Sequence, residues 1–497
     1  MRDLFFCIII LLFSHQIDAR TVERFSIFEL EMHGPSSGNP FTEVQLSAEF
    51  RTLNRSLFCE GFYDGEGIYR IRFMPDETGE WTYITKSNRK ELDGKKGRIT
   101  CTPSTGNNHG TVKVRNIYDF GYADGAPFYP AGTTCYAWVH QPEELVSQTL
   151  NTLGKTKFNK IRMTVMPKDY DVYINNEPPF YPFEGSNEKG WDFFRPDPEF
   201  FRNFEQKIME LQKLGIEADI ILFHPYDNGH WNLDKMNQEQ ASFYLKYLIA
   251  RIASYRNVWW SMANEYDILK KTDEEWEKYF RIIQKYDPYQ HLCSIHNGME
   301  WYNHSKPWIT HLSVQTAYLQ EIQDWREEYK KPVIIDECVY EGNIPNDWGN
   351  LAPEEMMNRF WIAYCRGAYC THGETYIHPQ NILWWSKGGT LSGKSPERIG
   401  FLYKIMTETP VEGVYPFHNI WNKETYLIKE KEFYLYYYGN SQQAKARLYL
   451  PNDVKFRLEV IDAWNMTVIA VEGEYSGMTE IPLTGKPYIA VRATKIN

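Results

Sequence analysis

Two glutamates follow short apolar runs in this chain. Glu265 closes Asn257-Val-Trp-Trp-Ser-Met-Ala-Asn264-Glu265-Tyr266, and Glu337 closes Lys331-Pro-Val-Ile-Ile-Asp336-Glu337. Each run is nearly unbroken in its apolar character and predicts a buried parallel strand, with the glutamate at its carboxyl end. In an α/β barrel that end gathers the functional groups. Two carboxylates delivered to one rim are the minimal equipment for cleaving a glycosidic bond: one gives a proton to the leaving oxygen, and the other attacks the sugar carbon or activates water.

The elements that would position them are legible in the patterning. Residues 20–117 alternate short β-rich runs with turn signals, such as Phe25-Ser-Ile-Phe-Glu-Leu-Glu-Met32 and Gly79-Glu-Trp-Thr-Tyr-Ile-Thr85, and predict an N-terminal β-sandwich. Over 118–410, apolar strand runs alternate with amphipathic stretches such as Asp197 to Leu214 and Gln238 to Tyr255. That alternation predicts an α/β fold, a (β/α)8 TIM barrel. Its strands are expected at Tyr129 to Thr134, Lys160 to Val165, Glu217 to Phe223, Val258 to Ala263, Leu292 to Ile295, His311 to Gln315, Val333 to Asp336 and Ala368 to Thr371. The fifth and sixth units are short, so their helices must be small. The β-rich pattern returns over 411–497, as in Glu432-Phe-Tyr-Leu-Tyr-Tyr-Tyr438, and predicts a small C-terminal β-sandwich.

Residues 1–19 have the form of a secretory signal: Arg2, an apolar core from Leu4 to Phe13, and the small-residue exit Asp18-Ala19. The core is too short for a membrane span, and no second stretch approaches that length. Export to the periplasm or medium follows as the expectation. Beyond Cys7, the seven cysteines show no C-x-x-C zinc spacing, and Cys59 with Cys101 is the candidate disulfide. The net charge of −11 argues against nucleic acid or anionic lipid as a partner. The 16% aromatic content supplies flat apolar faces with polar edges, suited to stacking on sugar rings as well as to large cores.

The middle region resembles the retaining glycoside hydrolases of clan A, in which the acid/base follows an Asn at the end of strand four and the nucleophile ends strand seven. Asn264-Glu265 and Glu337 match that plan. A closer likeness is to bacterial apiosidase-like glycoside hydrolases with a sandwich on either side of the barrel. It is carried by Tyr129-Pro-Ala-Gly-Thr-Thr-Cys-Tyr-Ala-Trp138, His224-Pro-Tyr-Asp-Asn-Gly229, Gly373-Glu-Thr-Tyr376 and Leu383-Trp-Trp-Ser-Lys-Gly-Gly389. The chain departs from the clan pattern at Tyr266, where many members have Pro, and at Asp336, where a small hydroxyl residue is common. It also departs at Gln315-Thr-Ala-Tyr318, where many have His-x-Tyr. No strand-six histidine is therefore carried over.

The resemblance implies an oligosaccharide or polysaccharide substrate and a double displacement. Glu265 would be the acid/base, its pKa raised by apolar walls to which Trp259 or Trp260 could contribute. Glu337 would be the ionised nucleophile, with Arg162 as the expected donor beside it. Strand alternation sends Asp336 to the other side of the strand from Glu337. Asn264 would bond the neighbouring sugar hydroxyl, and Tyr318 the nucleophile. His224 and His296 are candidates for substrate binding or orientation, Trp385 or Trp384 and Trp138 for a sugar platform, and Glu374 for sugar hydroxyls. His224, Asp227 and His230 form an H-x2-D-x2-H cluster, but the retaining reaction needs neither metal nor cofactor, and none is expected. A carbohydrate-binding protein without catalysis, or a polysaccharide lyase, is the alternative. Oligomeric state leaves no mark in the sequence.

Overall fold

The computed structural model describes residues 20–170, 176–418 and 425–496; the expected export signal lies outside them. At the centre stand eight short strands: β1 (Gly132–Thr134), β2 (Lys160–Thr164), β3 (Glu217–Phe223), β4 (Val258–Ala263), β5 (Cys293–Ser294), β6 (Leu312–Gln315), β7 (Val333–Glu337) and β8 (Tyr369–His372). They pair in parallel in the order β5-β4-β3-β2-β1-β8-β7-β6. One parallel bridge, His296 to Ser313, spans the remaining gap, so the sheet is a nearly closed barrel. Strands β2, β3 and β4 are buried along their whole length, as their continuous apolar runs require. Strand β1 starts at Gly132 rather than Tyr129, because Pro130 has no N–H to give to a ladder.

Helices α1 (Glu143–Leu153), α2 (Pro198–Lys213), α3 (Gln238–Ile252), α4 (Asp273–Tyr286), α5 (Ile322–Tyr329), α6 (Pro353–Cys365) and α7 (Ser395–Thr407) surround the barrel. Their starts are written in the chain. Asp197 caps α2 on the N–H of Glu199, while Asn237 with Gln240, and Thr272 with Glu275, form capping boxes on α3 and α4. The connection from β5 to β6 holds no helix among the described residues, where a small one was expected. Its turn formers, Asn297-Gly298, Asn303, Ser305 and Pro307, explain the difference.

A three-stranded antiparallel sheet ahead of the barrel plugs its floor. Phe120, in strand Asp119–Tyr122, sets its ring 5.4, 5.6 and 5.8 Å from those of Trp259, His311 and Tyr369, all at the starting ends of barrel strands. Before it lies a seven-stranded sheet whose strand Ser56–Tyr63 pairs with Leu46–Arg51 through its first half and with Ile68–Phe73 through its second. The sheet bends there, and Phe50 stacks on Phe73 at 4.0 Å. Cys59 and Cys101 are both free, and two strands of the sheet separate theirs, so the expected disulfide does not form. After the barrel, a six-stranded sheet and the two-stranded ribbon of Lys445–Tyr449 and Met478–Pro482 bury Tyr434, Tyr436, Leu448 and Ile481 between them. Tyr437, on its other face, stacks on Trp361 of α6 at 5.0 Å and donates to Asn358 Oδ1 at 2.8 Å.

The N-terminal sheet is fastened to the barrel by buried charge. Arg72 reaches Glu205 of α2, and fully buried Arg251 of α3 bonds Glu205 and Asp64. Removing Arg251 would take from Glu205 and Asp64 their one fully buried shared cation and leave Arg72 on the first and Arg70 and Arg202 on the second; breaking such a buried pair costs up to about 3–5 kcal/mol. Arg251→Ala is therefore expected to lower the denaturation midpoint sharply. A midpoint within error of the parent in chemical denaturation followed by tryptophan fluorescence would contradict this fastening role.

Candidate active site

Strands β4 and β7 end on opposite sides of one cavity of about 510 Å³ at the carboxyl end of the barrel. Its walls include Glu265 and Glu337, with Asn264, Gln315, Tyr136, Lys168, Tyr226, Tyr340, Trp348 and Trp385. The backbone turns sharply to present Glu265, which sits in the left-handed region at φ 45°, ψ 57°. Val339 on the opposite wall has φ 70°, a rarer position for a β-branched residue. Strained residues of this kind cost about 1–3 kcal/mol each and gather where function requires them.

The two carboxylates have different surroundings. Glu265 is nearly buried, accepts from Gln315 Nε2 at 3.1 Å through Oε1, and has no partner on Oε2. Burial, and next the charge of Glu337, push its carboxyl up to about 7, against the opposing pull of Lys168 and Gln315. Glu337 instead accepts a hydrogen bond from the Tyr136 hydroxyl, whose oxygen lies 3.3 Å from Asn264 Oδ1. Between the walls lies Lys168, only 5% exposed. Its Nζ is 3.9 Å from the ring centre of Tyr136, 4.1 Å from Tyr226, 5.0 Å from Trp385 and 5.1 Å from Tyr170. The faces of such rings attract a cation. Burial draws this ammonium down to about 8, while Glu337 and Glu265 hold it up.

Below the cavity the barrel interior is ionic. Lys160 Nζ donates to Asp219 and Asp336 at 2.7 Å each, and Arg162 Nη1 lies 3.3 and 3.2 Å from the same two carboxylates. Burial opposes ionisation of Asp336, but Lys160 and Arg162 outweigh it and hold the carboxyl far below its ordinary range. Arg162 Nη2 then reaches up to Asn264 Oδ1 at 2.8 Å and fixes the amide beside Glu265.

Known proteins resemble this chain in sequence and fold. The apiosidase-like catalytic domain family matches residues 115–413. The chain belongs to that family. It is a glycoside hydrolase, and a solved protein from Bacteroides vulgatus ATCC 8482, provisionally described as one, is 38% identical to it. The two superpose with a TM-score of 0.92 over 96% of this chain and 100% of that one. A family 5 glycoside hydrolase from the same organism, 16% identical, shares the fold with a TM-score of 0.61 over 78% of this chain and 94% of its own. Two domain families of unknown function, DUF5060 and DUF5605, match residues 21–88 and 421–494. No curated protein matches the chain.

In this glycoside hydrolase, Asn264, Glu265, Glu337 and Trp385 meet at the cavity, and the other expected site residues do not line it. Arg162 lies beneath, bonded to Asn264 and not to Glu337. Asp336 faces the same axis as Glu337 because the β6–β7 register shifts by a residue: Val314 pairs with Ile335, but Gln315 pairs with Glu337. Tyr318 is 64% exposed, and Tyr136 supplies the hydroxyl on Glu337. His224 is turned inward. Its Nε2 faces Met166 O at 3.2 Å, and its Nδ1 accepts from the N–H of Tyr226, so it braces the two loops carrying Lys168 and Tyr226. Burial, helped by Lys168, takes its imidazole down to about 3.

His296 is sealed below the cavity, and Trp138 is packed in the core. Glu374 is 2% exposed and accepts from the backbone N–H groups of Ser392 and Gly393 at 2.6 and 2.8 Å, away from the cavity. Trp259 and Trp260 bond Glu217 and Asp287 instead of walling Glu265. The H-x2-D-x2-H residues do not converge: Asp227 caps the N–H groups of Trp231, Asn232 and Leu233, and His230 meets Glu177 at 2.7 Å. Sequence reading missed Tyr136, Lys168, Tyr226, Tyr340 and Trp348. A lysine directly behind a strand end, as in Val165-Met-Pro-Lys168, was the available signal for one of them.

Lys168 opposes the rise of the Glu265 pKa. Lys168→Met keeps the bulk within its rings but removes the charge, so Glu265 should hold its proton to higher pH. The alkaline limb of the kcat/KM profile is expected to move upward in pH. A limb that stays in place, or moves down, would show that Lys168 does not act on this carboxyl.

Proposed function

We propose that this chain is an exported retaining glycoside hydrolase that cleaves oligosaccharides in polysaccharide degradation, with Glu265 as acid/base and Glu337 as nucleophile. The observation that carries the reading is the electrostatic asymmetry of two glutamates on one cavity. A carboxyl pushed up to about 7, with one oxygen unpartnered, can hold a proton near neutrality and deliver it to the leaving oxygen. A carboxylate receiving a hydroxyl hydrogen bond, with a buried ammonium nearby, suits attack on the anomeric carbon. Asn264, held by Arg162, is placed in this reading on the hydroxyl beside that carbon, where a bond strengthens as charge develops. Trp385 and Trp348, 4.9 Å apart on the wall, suit a sugar face.

The reaction follows in two steps. Glu337 displaces the leaving group as Glu265 protonates it, and Glu265 then takes a proton from the water that cleaves the glycosyl-enzyme. The flanking sheets are read as two sandwiches bordering the catalytic domain, and export is read from residues 1–19. Among the described residues no helix is long and apolar enough to cross a membrane.

Glu337→Gln removes the attacking charge at constant size and should lower kcat by about three orders of magnitude or more. Glu265→Ala should cripple substrates with poor leaving groups far more than activated aryl glycosides, and azide should restore turnover of the latter. Proton NMR of the first product from a panel of aryl glycosides and oligosaccharides should show retained anomeric configuration. An inverted first product, or full activity in Glu337→Gln, would overturn the double displacement.

A further inference from the structure

Behind the cavity wall three side chains converge without serving it. Glu341 and Glu374 stand side by side on two paired two-residue strands, Glu341–Gly342 and Glu374–Thr375, and His372 ends β8. Glu341 and His372 are fully buried and Glu374 nearly so, and one donor atom from each lies within 4.8 Å of the others.

The charges here do not balance. Glu374 accepts from the backbone N–H groups of Ser392 and Gly393. Glu341 accepts from the N–H groups of Lys394 and Ser395 and from the hydroxyls of Tyr376 and Ser395. All of these donors are neutral, and among the described residues no lysine or arginine pairs with either carboxylate. Two adjacent buried carboxylates without a cation carry a heavy desolvation cost.

His372 supplies an independent observation. Its Nδ1 meets Thr133 Oγ1 at 3.1 Å, but its Nε2, wholly buried, has no hydrogen-bond partner. That atom faces Glu341 Oε2 at 4.0 Å, too far for a hydrogen bond. Two atoms each bound at about 2.1 Å to one ion lie roughly 3.4 to 4.2 Å apart. In the tautomer that leaves Nε2 free to ligate, Nδ1–H would donate to the Thr133 hydroxyl, a bond of the kind that orients a ligating imidazole. Gly393 lies so close that a Cβ there would stand 2.5 Å from Glu341 Oε1 and 2.6 Å from Glu374 Oε2, so the backbone caps both carboxylates.

We propose that Glu341, His372 and Glu374 bind a divalent metal ion that clamps the β7 and β8 loops together. One imidazole with two carboxylates suits zinc or manganese better than calcium or magnesium. The clamp is structural. It lies outside the saccharide cavity, but Tyr340 adjoins Glu341, and the loop that caps Glu374 also carries Trp385, so it steadies two of the cavity's walls.

The test uses the full chain, stripped with EDTA and then titrated calorimetrically with zinc and manganese chloride. One ion per chain should bind, the thermal midpoint should rise, and X-ray absorption at the bound metal's edge should show a single imidazole nitrogen among oxygen ligands. Binding should be lost in His372→Gln and in Glu374→Gln. A parent chain that takes up no ion and shows no change in midpoint would overturn the proposal and leave the two carboxylates sharing a proton. Ligation by sulfur or by several imidazoles, or full binding in a folded His372→Gln, would overturn it by placing the ion elsewhere.

Discussion

Lys160, Arg162, Asp219 and Asp336 close a neutral ion cluster on the barrel axis, and the geometry of the candidate site hangs from it. Ions so deeply buried repay their desolvation only with good geometry and a full set of hydrogen bonds. Ser313 and Thr371 complete the set on Asp336, so β2, β3, β6, β7 and β8 are fixed against one another by bonds that tolerate little displacement. The guanidinium that closes the cluster also carries Asn264 upward to the cavity floor. An apolar barrel core could fill the same volume, but it would not hold that amide.

Above the cluster, position gives identical side chains unlike surroundings. Glu265 and Glu337 are the same residue at the ends of similar strands. One is pushed toward neutrality by burial and by its counterpart's charge, while the other meets a tyrosine hydroxyl. Lys168 opposes the rise in Glu265, and its rings hold it where a free lysine side chain would swing away into water. The loops that carry this lysine and Tyr226 are themselves fixed by His224, a residue whose sequence context suggested substrate contact. The flanking sheets serve the same end at longer range: buried Arg72 and Arg251 lock the first to α2 and α3, and Trp361 with Asn358 seats the last on α6.

The apolar runs before Glu265 and Glu337, and the alternation of strand and helix patterns between 118 and 410, determined the barrel and the pair of carboxylates on one rim. Those signals are local, and a buried parallel strand leaves a mark on every residue it contains. Strands β3 and β4 accordingly fall where the sequence puts them. Tertiary structure alone decided which donors reach the carboxylates. A one-residue shift between β6 and β7 turned Asp336 onto the axis, and Arg162 was spent on the cluster and on Asn264. Tyr136 took the place expected for Tyr318. The bonds of Arg162 and Tyr136 join residues a hundred or more positions apart through side-chain direction, and a linear pattern of residue types does not carry direction across a closed barrel.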